Sequence, residues 1–284
     1  MKKNLCTLIV IILTLLTGCT SQFKVNEDIV KNISDKIIKT AIESEGKESA
    51  EKSETHKLDA SDSINLIVAN TVGDISIANH DSKDAVIDVK IKIKSDSKEN
   101  AEKLLNDYKY SIESKSNTIK IDTVKHEYSI IKNDDRFNIN LNIKIPNNIK
   151  HITVTNNVGS VKVENINGEL KADTNVGDIN ITNSNALYKI KVDVGKISLK
   201  NCAVSGKSEF KTNTGDVTIS ASDISAAKYI ESSTNVGNIK MTLPETSSYK
   251  AEINEFMEKQ RIVTNKDGKT DIKLVTNVGK IDFN

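Results

Sequence analysis

The sequence predicts an all-β fold: a single-stranded β-solenoid of about 18–22 residues per rung, behind an N-terminal β-rich cap that contains one short helix. Three observations lead there. Glycine recurs in segments of one type, such as Thr174-Asn175-Val176-Gly177-Asp178-Ile179-Asn180-Ile181, at Gly73, Gly159, Gly177, Gly195, Gly215, Gly237 and Gly279. Apolar residues alternate with period two on both sides of each glycine, the signature of strands. Aromatic residues are only 4% of the chain with no tryptophan, so the interior is expected to be aliphatic.

The elements follow in chain order. Lys2 and Lys3 precede an uncharged apolar run from Leu5 to Leu16, the layout of a secretory signal. That run is shorter than the ~20 residues a membrane-spanning helix needs. Leu16-Thr17-Gly18-Cys19 resembles the bacterial lipobox, which implies cleavage between Gly18 and Cys19 and lipidation of Cys19. Two acyl chains hold a protein stably to a bilayer, so residues 1–18 are read as a lipoprotein signal peptide and residues 19–58 as a lipidated tether. Within the tether, Ile29, Ile33, Ile37 and Ala41 recur at four-residue steps, predicting an amphipathic helix over 26–44. A charged stretch, Glu45 to Lys57, then reads as a solvated linker.

Residues 59–146 are expected to form the first strands and the cap. Ile87, Val89, Ile91 and Ile93 alternate, Ser97 to Tyr108 reads as a short helix, and Phe137 through Ile145 alternate again before Pro146. Residues 147–284 are read as the repeats. From Gly159 the glycine spacings are 18, 18, 20, 22 and 42, the last taken as two steps of 21. One residue before the glycines stand Val72, Val158, Val176, Val194, Thr214, Val236 and Val278; five before stand Val68, Val154, Ala172, Ile190, Phe210, Ser232 and Leu274. Both positions are assigned to the inward face. After the glycine the apolar residues fall two and four positions on, as at Ile179 and Ile181, so glycine marks a corner where the strand changes face. Polar loops such as Asn165-Ile166-Asn167-Gly168 close each unit. Asn157, Asn175, Asp193, Asn213, Asn235 and Asn277, two before the glycine, should form a hydrogen-bonded ladder at ~4.8 Å steps, and Asp178, Lys196 and Asp216 a charged one.

From about Asn70 onward these features resemble a bacterial adhesin-like family built of short β-strand repeats, a domain of unknown function. The resemblance rests on the Gly-x-(Ile/Val)-x-aliphatic strands, on Ile143-Lys144-Ile145-Pro146 and on Thr242-Leu243-Pro244 before a final repeat. It implies a β-solenoid and carries no catalytic residues.

Chemistry is sparse. His56, His80, His126 and His151 have no metal-ligand spacing, and Gly206-Lys207-Ser208 lacks the earlier glycine of a phosphate loop, since Asn201 stands there. The glycine-rich nonapeptide of calcium-binding β-rolls is absent. Cys6 leaves with the signal and Cys19 is lipidated, so Cys202 has no disulfide partner and is expected to be a small buried residue. Lysine and arginine number 40 against 39 acidic residues, which gives no basic face for nucleic acid. No cofactor, no metal and no catalytic residue are expected. The chain reads as a non-catalytic cell-envelope lipoprotein on the extracytoplasmic face of a membrane, binding an envelope protein or wall polymer. A regulatory or sensory accessory of an envelope-stress system is the alternative, and a polysaccharide-acting enzyme the disfavoured third. The column Thr153, Lys171, Lys189, Glu209, Glu231 and Lys273 is read as a solvated strand face. On this reading Cys19→Ala leaves an unprocessed precursor or a protein released from its anchor, measured by metabolic lipid labelling and membrane fractionation. Undiminished labelling rules the anchor out.

Overall fold

A computed structural model describes residues 48–123, 135–255 and 260–284. The cleavage and lipidation positions Gly18 and Cys19, the helix expected over 26–44 and His126 lie outside the described residues. In chain order, β1 (Glu48–Asp59) is followed by β2 (Asn65–Val72) and β3 (Ile75–His80), which flank Gly73. Then come β4 (Asp84–Ser95), α1 (Lys98–Asp107), β5 (Ser111–Lys115), β6 (Thr118–Asp122) and β7 (Arg136–Pro146). Pairs of strands flank the next glycines: β8 (His151–Val158) and β9 (Val161–Glu164) at Gly159, β10 (Asn167–Val176) and β11 (Ile179–Thr182) at Gly177, β12 (Asn185–Val194) and β13 (Ile197–Val204) at Gly195. β14 (Gly206–Thr214) and β15 (Val217–Asp223) flank Gly215, and β16 (Ala227–Val236) and β17 (Ile239–Thr242) flank Gly237. A hairpin of β18 (Tyr249–Glu255) and β19 (Arg261–Asn265) precedes β20 (Thr270–Val278) and β21 (Ile281–Phe283), which flank Gly279.

The all-β class holds: among the described residues strands dominate and there is one helix, and the strands join in one hydrogen-bonded sheet, curled nearly closed like a barrel. Two parallel ladders run through it. One is β2–β8–β10–β12–β14–β16–β20 and the other β3–β9–β11–β13–β15–β17–β21. The residues two and four after each glycine, from Ile75 and Ile77 to Ile239 and Met241, are buried. Burial of such a side chain contributes about 1.5–3 kcal/mol. The interior is mainly aliphatic; in the ladders Tyr188 and Phe210 are fully buried with centroids 5.7 Å apart, and in the cap Tyr108 is buried against Phe137. Cys202 is buried and free.

The corner is set by close approach of backbone to backbone. Gly177 has φ +144°, and a Cβ built there would lie 2.1 Å from the carbonyl oxygen of Gly159. The same contact recurs at each step of the column from Gly73 to Gly279. The glycine N–H donates forward, from Gly177 to the Val194 carbonyl at 2.9 Å. A layer that the sequence reading missed lies three residues before the glycine: the Thr212, Thr234 and Thr276 hydroxyls donate to the carbonyls of Gly195, Gly215 and Gly237 at 3.2, 3.0 and 2.8 Å. Asn156 does the same to Gly73 through Nδ2 at 3.0 Å. At the other corner Asn165, Asn183 and Asn201 take φ of +58°, +50° and +54°, a conformation asparagine tolerates better than most residues.

Four expectations are corrected. The valines before the glycines do not face inward: Val158, Val176, Val194 and Val278 are 44–51% exposed. The alternation breaks one step earlier than expected, since Asn157 and Val158 are consecutive exposed residues and the register runs from Asn156 directly to Val158. The 42-residue spacing is not two steps, because β16 pairs with β20, β17 with β21, and Gly237 N–H meets the Val278 carbonyl at 2.8 Å. The extra residues form the β18–β19 hairpin, laid beside β20. Gly73 likewise abuts Gly159 directly, with residues between them forming the expected cap and helix. The linker is not solvated coil from residue 48 on. β1 pairs along its whole length with β4, and Lys57 and Lys92 hold Asp84 and Glu51 at 3.0 and 2.5 Å, so the boundary expected at residues 58 and 59 falls inside a strand. Finally, the repeat-closing loop is a short corner whose Ile166 is buried.

Gly177→Ala therefore costs at least ~2 kcal/mol, from strain and overlap together. Gly268→Ala, where a Cβ meets nothing nearer than 3.5 Å, costs about 1 kcal/mol. Chemical denaturation of both variants measures the difference; equal losses would mean that overlap is relieved by backbone movement.

Candidate functional site

Side chains that the ladders leave outside form straight columns, because parallel strands in register place like positions next to one another. On the β2-to-β20 ladder the column Thr153, Lys171, Lys189, Glu209, Glu231 and Lys273 is assembled as the spacing predicts. Three of its charges, Lys189, Glu209 and Glu231, are engaged with flanking columns. Lys189 meets Glu169 at 3.3 Å, and Lys211 bridges Glu209 at 2.9 Å and Glu231 at 3.3 Å. Glu209 and then Glu231 raise the Lys211 ammonium above the usual lysine value. Lys171 and Lys273 of the column stand outside these pairs.

The other ladder differs. Asp88, Asn142, Ser76, Lys162, Asn180, Ser198, Thr218, Lys240 and Asp282 stand side by side across it. At one end, where antiparallel β4 and β7 meet parallel β3 and β9, the sheet encloses a groove of about 670 Å³. Asp74, Asp88, Lys90, Asn140, Asn142 and Lys162 are among its walls. The side chains of Ser76, Ser160 and Asn180, also in its lining, make no hydrogen bond among the described residues. The groove is open and its exposed wall is mainly carbon, with the unengaged polar side chains confined to Ser76, Ser160 and Asn180.

The rim of the strip is held by side chains that accept from the next unit's backbone. Asn140 Oδ1 accepts from Asp74 N at 2.8 Å, Asp74 Oδ1 from Ser160 N at 2.8 Å, Asp178 Oδ1 from Lys196 N at 2.8 Å, Asp216 Oδ1 from Asn238 N at 3.0 Å and Asn238 Oδ1 from Lys280 N at 2.9 Å. The Asn238 N–H, followed by the Lys196 ammonium 3.3 Å away, lowers the Asp216 carboxyl below the usual range. The charged triplet Asp178, Lys196 and Asp216 is thus a backbone-capping column. The amide ladder two before the glycine is present from Asp193 through Asn213 and Asn235 to Asn277, at 3.1, 3.3 and 3.1 Å.

The seven corner glycines hold the backbone, and none presents a reactive group. Among the described residues no group of three His, Cys, Asp or Glu side chains is arranged to hold a metal ion. His56 meets the Tyr110 hydroxyl at 2.7 Å, and that hydroxyl donates to Glu54, fastening β1 to the segment after α1. The groove itself was missed in the sequence. Its half on β3, β9 and β11 was legible as the uniformly polar position three after each glycine, between two buried ones. Asn140 and Asn142 were not, because β7 reaches β3 across 66 residues with no repeat to announce it.

No protein-family model matches the sequence, and no curated protein matches it. Solved structures do. A candidate adhesin from Bacteroides fragilis is similar at 15% identity over 82% of this chain and 97% of its own, with a TM-score of 0.38. A candidate cell adhesion protein from Clostridium sporogenes is similar at 14% identity over 83% of this chain and 99% of its own, with a TM-score of 0.31. A candidate lipid-binding protein from Parabacteroides distasonis is similar at 13% identity over 81% and 96%, with a TM-score of 0.29.

Because Asp216 titrates below the usual carboxylate range when folded, the stability it contributes is complete above that range and is lost as pH falls through its depressed value. Asp216→Asn keeps an acceptor for Asn238 N–H and removes the titration. Thermal melts between about pH 6 and pH 2 should show a shallower acid-side decline for the variant; coincident curves would mean that Asp216 is not linked to folding.

Proposed function

We propose that the chain is an exported envelope protein, anchored through lipidated Cys19, that displays a single-stranded β-solenoid as a non-catalytic contact module. The solenoid reading is supported by the pairing pattern. Each first strand of a unit pairs in parallel with the first strand of the next, and each second strand with the next second strand, whereas an up-and-down barrel pairs consecutive strands antiparallel. In such a coil every unit adds one step to each outward column.

The groove beside Ser76 and Asn142 carries the functional reading. It continues into a column that crosses the whole ladder, and the Ser76 and Ser160 hydroxyls and the Asn180 amide are unengaged among the described residues, while Lys162 pairs with Glu164 and Asn142 donates to Asp88. A strip of that length, carbon-walled with polar side chains along it, suits an extended ligand, a wall polymer or a segment of an envelope protein, held by many weak contacts.

Binding of the processed chain to peptidoglycan, teichoic acid and cell-wall polysaccharide tests this, with product formation measured in parallel. Lys162→Glu combined with Asn180→Ala should weaken binding about tenfold or more, the equivalent of ~1.4 kcal/mol, without lowering the melting temperature. Lys171→Glu on the opposite face should leave it unchanged. Equal losses from both faces would remove the groove from the reading, and turnover of any polymer would remove the non-catalytic assignment.

A further inference from the structure

The two ladders end in four edges among the described residues: β5 and β19 on one, β1 and β21 on the other. A free edge offers unpaired backbone groups to another strand, and proteins blunt such edges with charge or brevity. β1 carries Glu48, Glu51, Lys52, Glu54, Lys57 and Asp59. β5 has Glu113 at its centre, so pairing with itself would set like charges opposite each other. β21 is three residues long with Asp282 in the middle. β19 has none of these protections. Its sequence is Arg261-Ile262-Val263-Thr264-Asn265, with one charge at one end, and Ile262 is 60% exposed, more than any other large hydrophobic residue described. Val263 packs against the core from the other side of the strand.

We propose that β19 is a self-association edge, and that its occupant is β19 of a second copy of this chain, paired antiparallel about Val263. The strand is self-complementary in that register. Ile262 of one copy lies opposite Thr264 of the other, two β-branched residues on the outer face, and Arg261 lies opposite Asn265, so no like charges meet. An isologous two-fold contact of this kind closes on itself and cannot propagate, because the charged β1 and β5 edges are at the far ends of their ladders. A seam of five residues is far smaller than the ~1,200–2,000 Å² of a stable interface, so the dimer is weak and concentration-dependent.

The test uses the full chain purified in detergent. Sedimentation from roughly 10 µM to 1 mM should show a reversible monomer–dimer equilibrium. Ile262→Lys with Thr264→Lys should reduce the dimer about tenfold while the melting temperature stays that of the parent. Under oxidation, Ile262→Cys with Thr264→Cys should give a covalent dimer, since directly opposed residues bring Cβ atoms within reach of a disulfide. Either single variant should give little, because each thiol then faces a non-thiol partner. A monomer at every concentration, a dimer indifferent to the two lysines, or single variants that cross-link as well as the double one would each overturn the proposal, the first leaving the edge to a foreign strand.

Discussion

Everything in this fold depends on how closely one glycine carbonyl can approach the next glycine. At each corner the carbonyl oxygen of one unit sits where the next unit's Cβ would be, at 1.9–2.1 Å for the six steps of the column. That proximity lets the strands on both sides of the corner keep a common spacing, so both ladders can run in register at once. It also leaves the carbonyls pointing into a crowded interior, where an unpartnered acceptor costs about 1–3 kcal/mol. Asn156, Thr212, Thr234 and Thr276, three residues before their glycines, answer that cost at the corners of Gly73, Gly195, Gly215 and Gly237, whereas Val192 offers the Gly177 carbonyl no donor. The corner is therefore a joint product of an absent side chain and a particular present one.

The ends of the structure are built differently from the middle. Inside, each unit is covered on both sides by a near copy, and β-branched aliphatics stack on themselves. At the amino-terminal side the coverage comes from an antiparallel sheet and a helix capped by Ser97, whose side chain accepts from Asn100 N at 3.1 Å. At the carboxy-terminal side a single hairpin covers one ladder, and β21 ends the other, its Ile281 N–H donating to Glu255 at 2.5 Å. The heavier amino-terminal cap ends in the charged β1; the lighter carboxy-terminal one ends in the nearly uncharged β19.

What the sequence made legible follows from how local each signal is. Period-two alternation after the glycine depends on the next four residues alone, and all of those positions are buried as read except Phe283 at the carboxy-terminal end, which is half-buried. Alternation before the glycine failed at its last step. Val176 looks like a core residue, but Asn175 and Val176 are consecutive exposed residues, the alternation breaking at the same place on every strand of the ladder. β1 misled because its charged composition is that of a linker, and an edge strand with one face wet and only Ala50 and Leu58 reaching the core has the same composition for a different reason. The spacing of 42 misled because arithmetic cannot distinguish a hidden unit from an excursion. The candidate groove was half legible, since three of its strands belong to the repeat, while β4 and β7 approach through long-range pairing that no short window contains.

Both excursions leave and rejoin the column without displacing it: Gly73 contacts Gly159 and Gly237 contacts Gly279 as closely as Gly159 contacts Gly177. Stacking geometry is thus indifferent to what the chain does between corners. Copy number and insertion content become separately heritable. A lineage can lengthen the module by duplicating a stretch of coding sequence about one unit long, or decorate one turn with a new hairpin, and in neither case must neighbouring turns be rewritten to accommodate the change.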